Sequence, residues 1–173
     1  LGVKLALDDV FITDGAKTDT SALQELLAPD ARVALTDPVY PVYVDSNAMA
    51  GRLGSYENDS GSRLTTLPWN AKNAFVPELP NAPVDMLYLC YPNNPTGTVL
   101  TRAQLKRFVD YALKTQTLIL FDAAYKAYIT DDAIPRSIYE IEGAEKIAIE
   151  CCSFSKSAGF TGTRCAYTII PQT

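Results

Sequence analysis

Apolar residues in this chain come in short continuous runs broken by turn residues, and one longer segment repeats them at helical spacing. The runs Val10–Ile12, Val33–Leu35, Val84–Cys90, Leu118–Phe121, Ile147–Ser153 and Cys165–Ile170 read as strands. Val84–Cys90 is apolar nearly throughout, as a parallel strand covered on both faces requires. Val10–Ile12 reads as a short buried strand, and Leu64–Leu67 as an edge strand. From Thr101 to Lys114, Leu105, Phe108, Val109, Ala112 and Leu113 recur at helical spacing behind a Thr101/Gln104 capping box. A second helix is expected after Gly15, with Asp19 or Ser21 as N-cap, Leu23, Leu26 and Leu27 on one face, and Pro29 beyond it. Ser46–Ala50 suggests a short helix stopped by Gly51, and Pro38 and Pro41 set a rigid, extended turn around Tyr40. Gly54–Ser62 reads as a polar loop and Asn73–Pro80 as a proline-punctuated connector. Strands alternating with helices predict an α/β domain with a mostly parallel sheet and right-handed crossovers. With no internal repeat and no low-complexity linker, residues 1–173 read as a single domain.

Composition narrows the function classes. With 173 residues, 47% of them hydrophobic and 20% charged, the chain has globular composition and length enough for one real core. A net charge of -5 and a pI near 4.7, with no basic cluster, argue against a nucleic-acid surface. No apolar run approaches the roughly 20 residues of a membrane span, and no signal peptide is expected. The absence of histidine rules out a complete Ser-His-Asp or Cys-His site and any His-ligated metal within this segment, and no metal site is expected. Cys90, Cys151, Cys152 and Cys165 form no CxxC pair and read as free thiols in a reducing compartment. Lysine, tyrosine and carboxylates must then carry any proton transfer.

The chemistry-bearing residues gather at predicted strand ends. A turn at Gly15 frees the backbone N–H groups of Ala16 and Lys17 to hold an anion, though the chain has no GxGxxG spacing and so no dinucleotide motif. Tyr40, held by its prolines, can stack on a flat ligand or simply pack. Asn94 ends a strand with a side-chain amide, inside Asn-Pro-Thr-Gly turn chemistry that is self-sufficient as a turn. Asp122 follows four apolar residues, so it needs a cationic or donor partner or caps a helix. Tyr125 lies three residues on. Lys156 follows Ser153 and Ser155 at the end of another strand, and Arg164 comes eight residues after it. Carboxyl ends of parallel strands lie on one rim, where open α/β sheets bind ligands. An anion cradle, an aromatic face, amide and phenol donors, a carboxylate and a lysine amine are together what pyridoxal phosphate demands.

The order Gly-Ala-Lys, Pro-x-Tyr-Pro, Asn-Asn-Pro-Thr-Gly, Asp-x-Ala-Tyr and Ser-x-Ser-Lys with an arginine eight residues on resembles the fold-type I, class I/II aminotransferases across essentially the whole chain. Asp14–Asp19 and Ser153–Arg164 are most similar to the LL-diaminopimelate aminotransferases. The resemblance implies a three-layer α-β-α sandwich around a seven-stranded sheet whose last strand is antiparallel. It implies the large cofactor-binding domain alone, without the N-terminal arm and C-terminal small domain of such enzymes. It further implies a pyridoxal 5'-phosphate Schiff base on Lys156, with Asp122 at the pyridine nitrogen and Asn94 and Tyr125 at the phenolic oxygen. Tyr40 would lie on the ring; Arg164, Ser153, Ser155 and the Ala16 and Lys17 amides would hold the phosphate. Lys17, Tyr40 and Asn94 would also meet the substrate.

The implied reaction passes the amino group of an amino acid, LL-2,6-diaminopimelate in the nearest branch, to 2-oxoglutarate in lysine biosynthesis. The implied protein is a cytoplasmic homodimer, or a plastid one in a photosynthetic eukaryote, with neither nucleic acid nor membrane as partner. Rival readings are another aminotransferase or a lyase on the same scaffold, a pyridoxal-phosphate-sensing regulator domain, and a purely structural α/β domain.

Overall fold

A computed structural model describes residues 2–57 and 60–172. Among the described residues nine strands are formed: β1 (Val10–Thr13), β2 (Val33–Asp37), β3 (Tyr56–Glu57), β4 (Ser60–Gly61), β5 (Leu64–Pro68), β6 (Met86–Cys90), β7 (Leu118–Asp122), β8 (Ala148–Ser153) and β9 (Ala166–Ile169). Between them run α1 (Ala16–Ala22), α2 (Val42–Met49), α3 (Arg102–Thr115) and α4 (Phe154–Ser157). Seven strands make one sheet in the order β1-β9-β8-β7-β6-β2-β5. β9 is antiparallel to both its neighbours, and the other pairings in that sheet are parallel. The remaining two strands form a small hairpin, β3–β4, inside the stretch read as a polar loop; Asn58 and Asp59 of that stretch lie outside the described residues.

Each face of the sheet carries its own core, which makes the sandwich three-layered. On one face Leu105, Phe108, Val109 and Ala112 of α3 are at most 1% exposed and pack with Leu87, Leu89, Ile119 and Phe121. Each of these side chains other than Ala112 contributes about 1.5–3 kcal/mol by burial. Thr101 Oγ1 accepts from Gln104 N while Gln104 Oε1 accepts from Thr101 N, so the capping box forms as the sequence predicts. On the other face α1 and α2 cover Met86, Tyr88, Leu120, Ile149 and Cys151. Among the described residues no helix is long and apolar enough to cross a membrane.

Three local expectations are corrected. β1 is an edge strand, not a buried one: Phe11 is 46% and Ile12 76% exposed, because β9 covers only one side of it. α1 starts at Ala16 behind Gly15, so neither Asp19 nor Ser21 is its N-cap. Asp19 Oδ2 instead accepts from the Thr13 and Thr168 hydroxyls of β1 and β9, at 2.8 and 3.0 Å. The leucines that follow lie in a 3-10 turn, Leu23–Leu26, and Leu26 is 69% exposed. α2 begins at Val42 rather than Ser46, with Pro41 at its N-cap, where a missing N–H costs nothing. The rigid turn is therefore shorter, and Tyr40 and Tyr43 stand about one helical turn apart.

Candidate active site

Register brings the polar strand ends together. Cys90 pairs with Asp122, and Asp122 with Cys151, across β6, β7 and β8. Ser153 of β8 and Thr13 of β1 both pair with Ala166, so the β1–α1 turn reaches the same rim. β9 runs antiparallel because the chain re-enters the sheet directly from that rim, two residues after Arg164. A cavity of about 310 Å³ opens there. Its lining contains Ala16, Lys17, Tyr40, Asn94, Asp122, Tyr125, Ser153, Ser155, Lys156 and Arg164, all ten residues singled out from the sequence. Cys90, Ala124 and Thr161 line it as well.

Asp122 is 6% exposed and, among the described residues, has no lysine or arginine within ion-pair distance. Tyr43 Oη donates to its Oδ2 at 2.6 Å, and Ala124 N to its Oδ1 at 3.1 Å. Burial pushes its carboxyl pKa up, the Tyr43 and Ala124 bonds pull it back, and the nearby Asp19 carboxylate adds to the rise. It caps no α-helix: only a 3-10 turn, Lys126–Tyr128, follows it. Tyr43 was not singled out from the sequence. Its position three residues after Tyr40 was the available signal. The rings of Tyr40 and Tyr43 meet edge-on at 5.8 Å, and Tyr43 stacks on Tyr88 at 4.9 Å. Burial first, then the Asp122 carboxylate, holds the Tyr43 phenol well above its ordinary pKa, so it remains a donor. Burial and Asp122 likewise push the Cys90 thiol up to about 12, which leaves a neutral, poorly nucleophilic sulfur at the cavity floor.

The opposite wall is built for an anion. Gly15 has φ +147°, and a Cβ there would stand 1.9 Å from Arg164 Nη2. Only glycine admits both that backbone and the approach of the guanidinium. Thr18 N and Asp19 N both bond Gly15 O, so the Ala16 and Lys17 amides precede the first helical bonds of α1. Ser153 is the N-cap of α4 and its hydroxyl accepts from Ser155 N at 3.1 Å. Arg164 Nη1 is steadied by Thr161 O at 3.0 Å, and Thr161 Oγ1 donates to Ser155 O at 3.0 Å. Thr161 thereby links both sides of the cradle, a role its place in a Gly-rich loop did not disclose.

Lys156 lies on α4, exposed, with Nζ 5.5 Å from the centre of the Tyr125 ring. Tyr128 Oη donates to Lys156 O at 3.1 Å. The two asparagines of the Asn-Asn-Pro turn divide their work. Asn94 faces the cavity, whereas Asn93 is buried and donates to Pro38 O and Thr96 Oγ1 at 3.0 and 2.9 Å. Asn93 thus ties the loop bearing Tyr40 to the loop bearing Asn94. Among the described residues no group of three or more carboxylates and thiols could hold a metal ion.

A buried carboxylate lacking a cation, a glycine-cleared arginine and an amine line this one cavity, and these are the kinds of group that a flat cofactor with an anionic tail and a cationic ring edge would need.

The family profile described as aminotransferase class I and II matches residues 2–173. The chain is 56% identical over 171 residues to LL-diaminopimelate aminotransferase of Desulfotalea psychrophila, which covers 99% of this chain and 42% of that protein. It is 57% identical over 171 residues to the enzyme of that name from Phocaeicola vulgatus, again covering 99% of this chain and 42% of the relative. Among solved structures, L,L-diaminopimelate aminotransferase from Chlamydomonas reinhardtii superposes with a TM-score of 0.91 at 42% identity, over 98% of this chain and 42% of that one. Substrate-bound BacF from Bacillus subtilis follows with a TM-score of 0.86 at 26% identity, over 99% and 43% of the two chains. The chain therefore spans about 42% of the length of the relatives it matches.

Proposed function

The chain belongs to the aminotransferase class I and II family, and we propose that the protein carrying it transfers an amino group from LL-2,6-diaminopimelate to 2-oxoglutarate. The observation that carries this reading is the polarity of the rim cavity: an uncompensated buried carboxylate, an anion cradle and an amine line the same cavity. Its similarity to LL-diaminopimelate aminotransferases over nearly its whole length supports the substrate. The family depends on pyridoxal phosphate, which when bound supplies an electron sink for a carbanion at the substrate α-carbon.

Asp122, its carboxylate oriented by Tyr43 Oη and Ala124 N, would hold a proton on the ring nitrogen. Asn94 and Tyr125 would donate to the phenolic oxygen. Tyr40 would cover one face of the ring. Arg164 would hold the phosphate, since its planar guanidinium can offer two N–H groups at once where lysine cannot. Ser153, Ser155 and the amides of Ala16 and Lys17 complete that cradle. Lys156 Nζ would hold the cofactor through its aldehyde, and the same amine is the base placed to move the substrate α-proton. Lys17 reaches the distal carboxylate of the substrate, while Tyr40 and Asn94 border its reacting end.

Residues 1–173 form the cofactor-binding large domain in this proposal, and the arginine for the substrate α-carboxylate comes from elsewhere in a full-length homodimer. The free cysteines suit a reducing compartment, and we place the protein in the cytoplasm.

The test is performed on the full-length protein. Addition of pyridoxal phosphate should give a visible band, and borohydride reduction followed by peptide mapping should place the adduct on Lys156. An adduct elsewhere, or one that survives Lys156→Ala, refutes the site. Turnover of other amino donors in preference to diaminopimelate refutes the substrate alone.

A further inference from the structure

On the face of the sheet away from Tyr43 and Asp122 lies a second buried polar cluster. Glu150 of β8 is 0% exposed. Its Oε1 stands 3.1 Å from Lys126 Nζ, and its Oε2 accepts from the Ser137 hydroxyl and, at 3.1 Å, from Ile138 N. Lys126 Nζ also approaches Cys152 Sγ at 2.9 Å and sits 5.3 Å from the centre of the Tyr167 ring. Burial works against the ammonium, but Glu150 and Cys152 outweigh it and hold the Lys126 pKa above its usual value.

Glu150 is fully buried and Lys126 only partly, and such an ion pair is weak evidence for stability, because desolvation can cancel the attraction. What distinguishes this one is where its two ends attach. Lys126 directly follows Tyr125 and opens the 3-10 turn Lys126–Tyr128. Glu150 lies three residues before Ser153 on the strand that delivers Lys156. The pair therefore pins the turn bearing Tyr125 and Tyr128 to the strand bearing Ser153, and Tyr128 then bonds Lys156 O at 3.1 Å. Tyr125 meets Tyr128 ring to ring at 6.3 Å within that turn. Both walls flanking the reactive amine are thus referred to one ion pair on the far side of the sheet.

We infer that Lys126 and Glu150 are positioning residues that set Tyr125 and Tyr128 against Lys156, an assignment that rests on the site proposed above. Neither is among the residues lining the cavity, and they act through the turn they hold. The decisive variant is Lys126→Met combined with Glu150→Gln in the full-length protein, which removes both charges and leaves no buried ion alone. Lys126→Met by itself strands the Glu150 carboxylate and should lower the melting temperature more than the double change does.

Three readouts separate positioning from plain support. In the protein without cofactor, amide hydrogen exchange over 125–129 should quicken at least about tenfold in the double variant while β7 and β8 stay protected. With cofactor, its visible absorption maximum should move, and kcat should fall by roughly tenfold or more with KM little changed. Unchanged exchange, spectrum and kcat in a folded double variant would overturn the inference. So would a double variant that cannot fold, since the pair would then serve the fold and not the site. If the unmutated protein shows no visible band with pyridoxal phosphate, the cofactor reading itself has failed; the exchange experiment still reports on the turn.

Discussion

Tyr43 and Asp122, 79 positions apart, are joined by a 2.6 Å hydrogen bond in which the phenol donates to the carboxylate. The bond is buried, and the Tyr43 ring is locked by stacking on Tyr88. A carboxylate this enclosed has few ways to stay ionised, and the phenol is the stronger of its two donors. Replacing Tyr43 with Phe keeps the stack and deletes the donor. Cofactor affinity, measured by absorbance titration, should weaken roughly 10- to 100-fold, the worth of a hydrogen bond to a charged group. Undiminished affinity would show that the ring nitrogen alone orders Asp122.

Asp122 itself should reveal its cost when no cofactor is present. Its folded-state pKa is raised, chiefly by burial. A carboxyl of that kind adds stability in full below its unfolded pKa of about 3.9, and that contribution is lost as pH rises through the folded value. Asp122→Asn has no such loss. Denaturant unfolding of the cofactor-free protein should find the variant more stable than the parent near pH 8, with the gap closing towards pH 4. A gap independent of pH would place the raised pKa elsewhere.

The same substitution should harm catalysis. Asparagine can hold cofactor but cannot stabilise a proton on the ring nitrogen as a carboxylate does. Removal of the α-proton, followed in a single half-reaction of the full-length enzyme, should slow by at least about 100-fold. A rate within a few-fold of the parent would leave Asp122 a merely structural residue.

Gly15→Ala probes the anion cradle through geometry alone. The added methyl would stand 1.9 Å from Arg164 Nη2 on a backbone of φ +147°, so guanidinium or turn must shift. Affinity for pyridoxal phosphate should fall by about tenfold or more, whereas affinity for phosphate-free pyridoxal should change little. Equal losses for both ligands would mean that the turn has collapsed rather than the arginine having moved.

Leu105→Ala serves as a contrast far from the rim. Leu105 is 0% exposed beneath α3, and its truncation should cost about 2–5 kcal/mol in denaturant unfolding. The visible spectrum of surviving folded protein should be unchanged. A spectral shift would show that the core on this face communicates with the cavity.

Much of this molecule was legible from residue order, for definite reasons. Strands β6 and β7 are doubly covered, so each appears as an apolar run up to its carboxyl end, and α3 announces itself by its capping box and periodic face. The ten cavity residues were legible because parallel strands put their carboxyl ends on one rim. A polar residue just after an apolar run is thereby placed in space as well as in sequence.

What the order of residues could not contain is which strand lies beside which. The edge position of β1, with Ile12 in solvent, follows from a sheet order of β1-β9-β8 that no local pattern encodes. Asp19 has the chemistry of an N-cap, yet two threonine hydroxyls from separate strands claim its carboxylate. Tyr43 reads as an ordinary aromatic until α2 carries it over Asp122. Lys126 and Glu150, 24 positions apart, become a pair only when β7 and β8 lie side by side. Residue order carries most of the strands, the long helix and the polar groups at the strand ends, because those depend on local periodicity and on burial. The partners of each buried charge come from the folded arrangement, because hydrogen bonding and desolvation depend on distances between segments far apart in the chain.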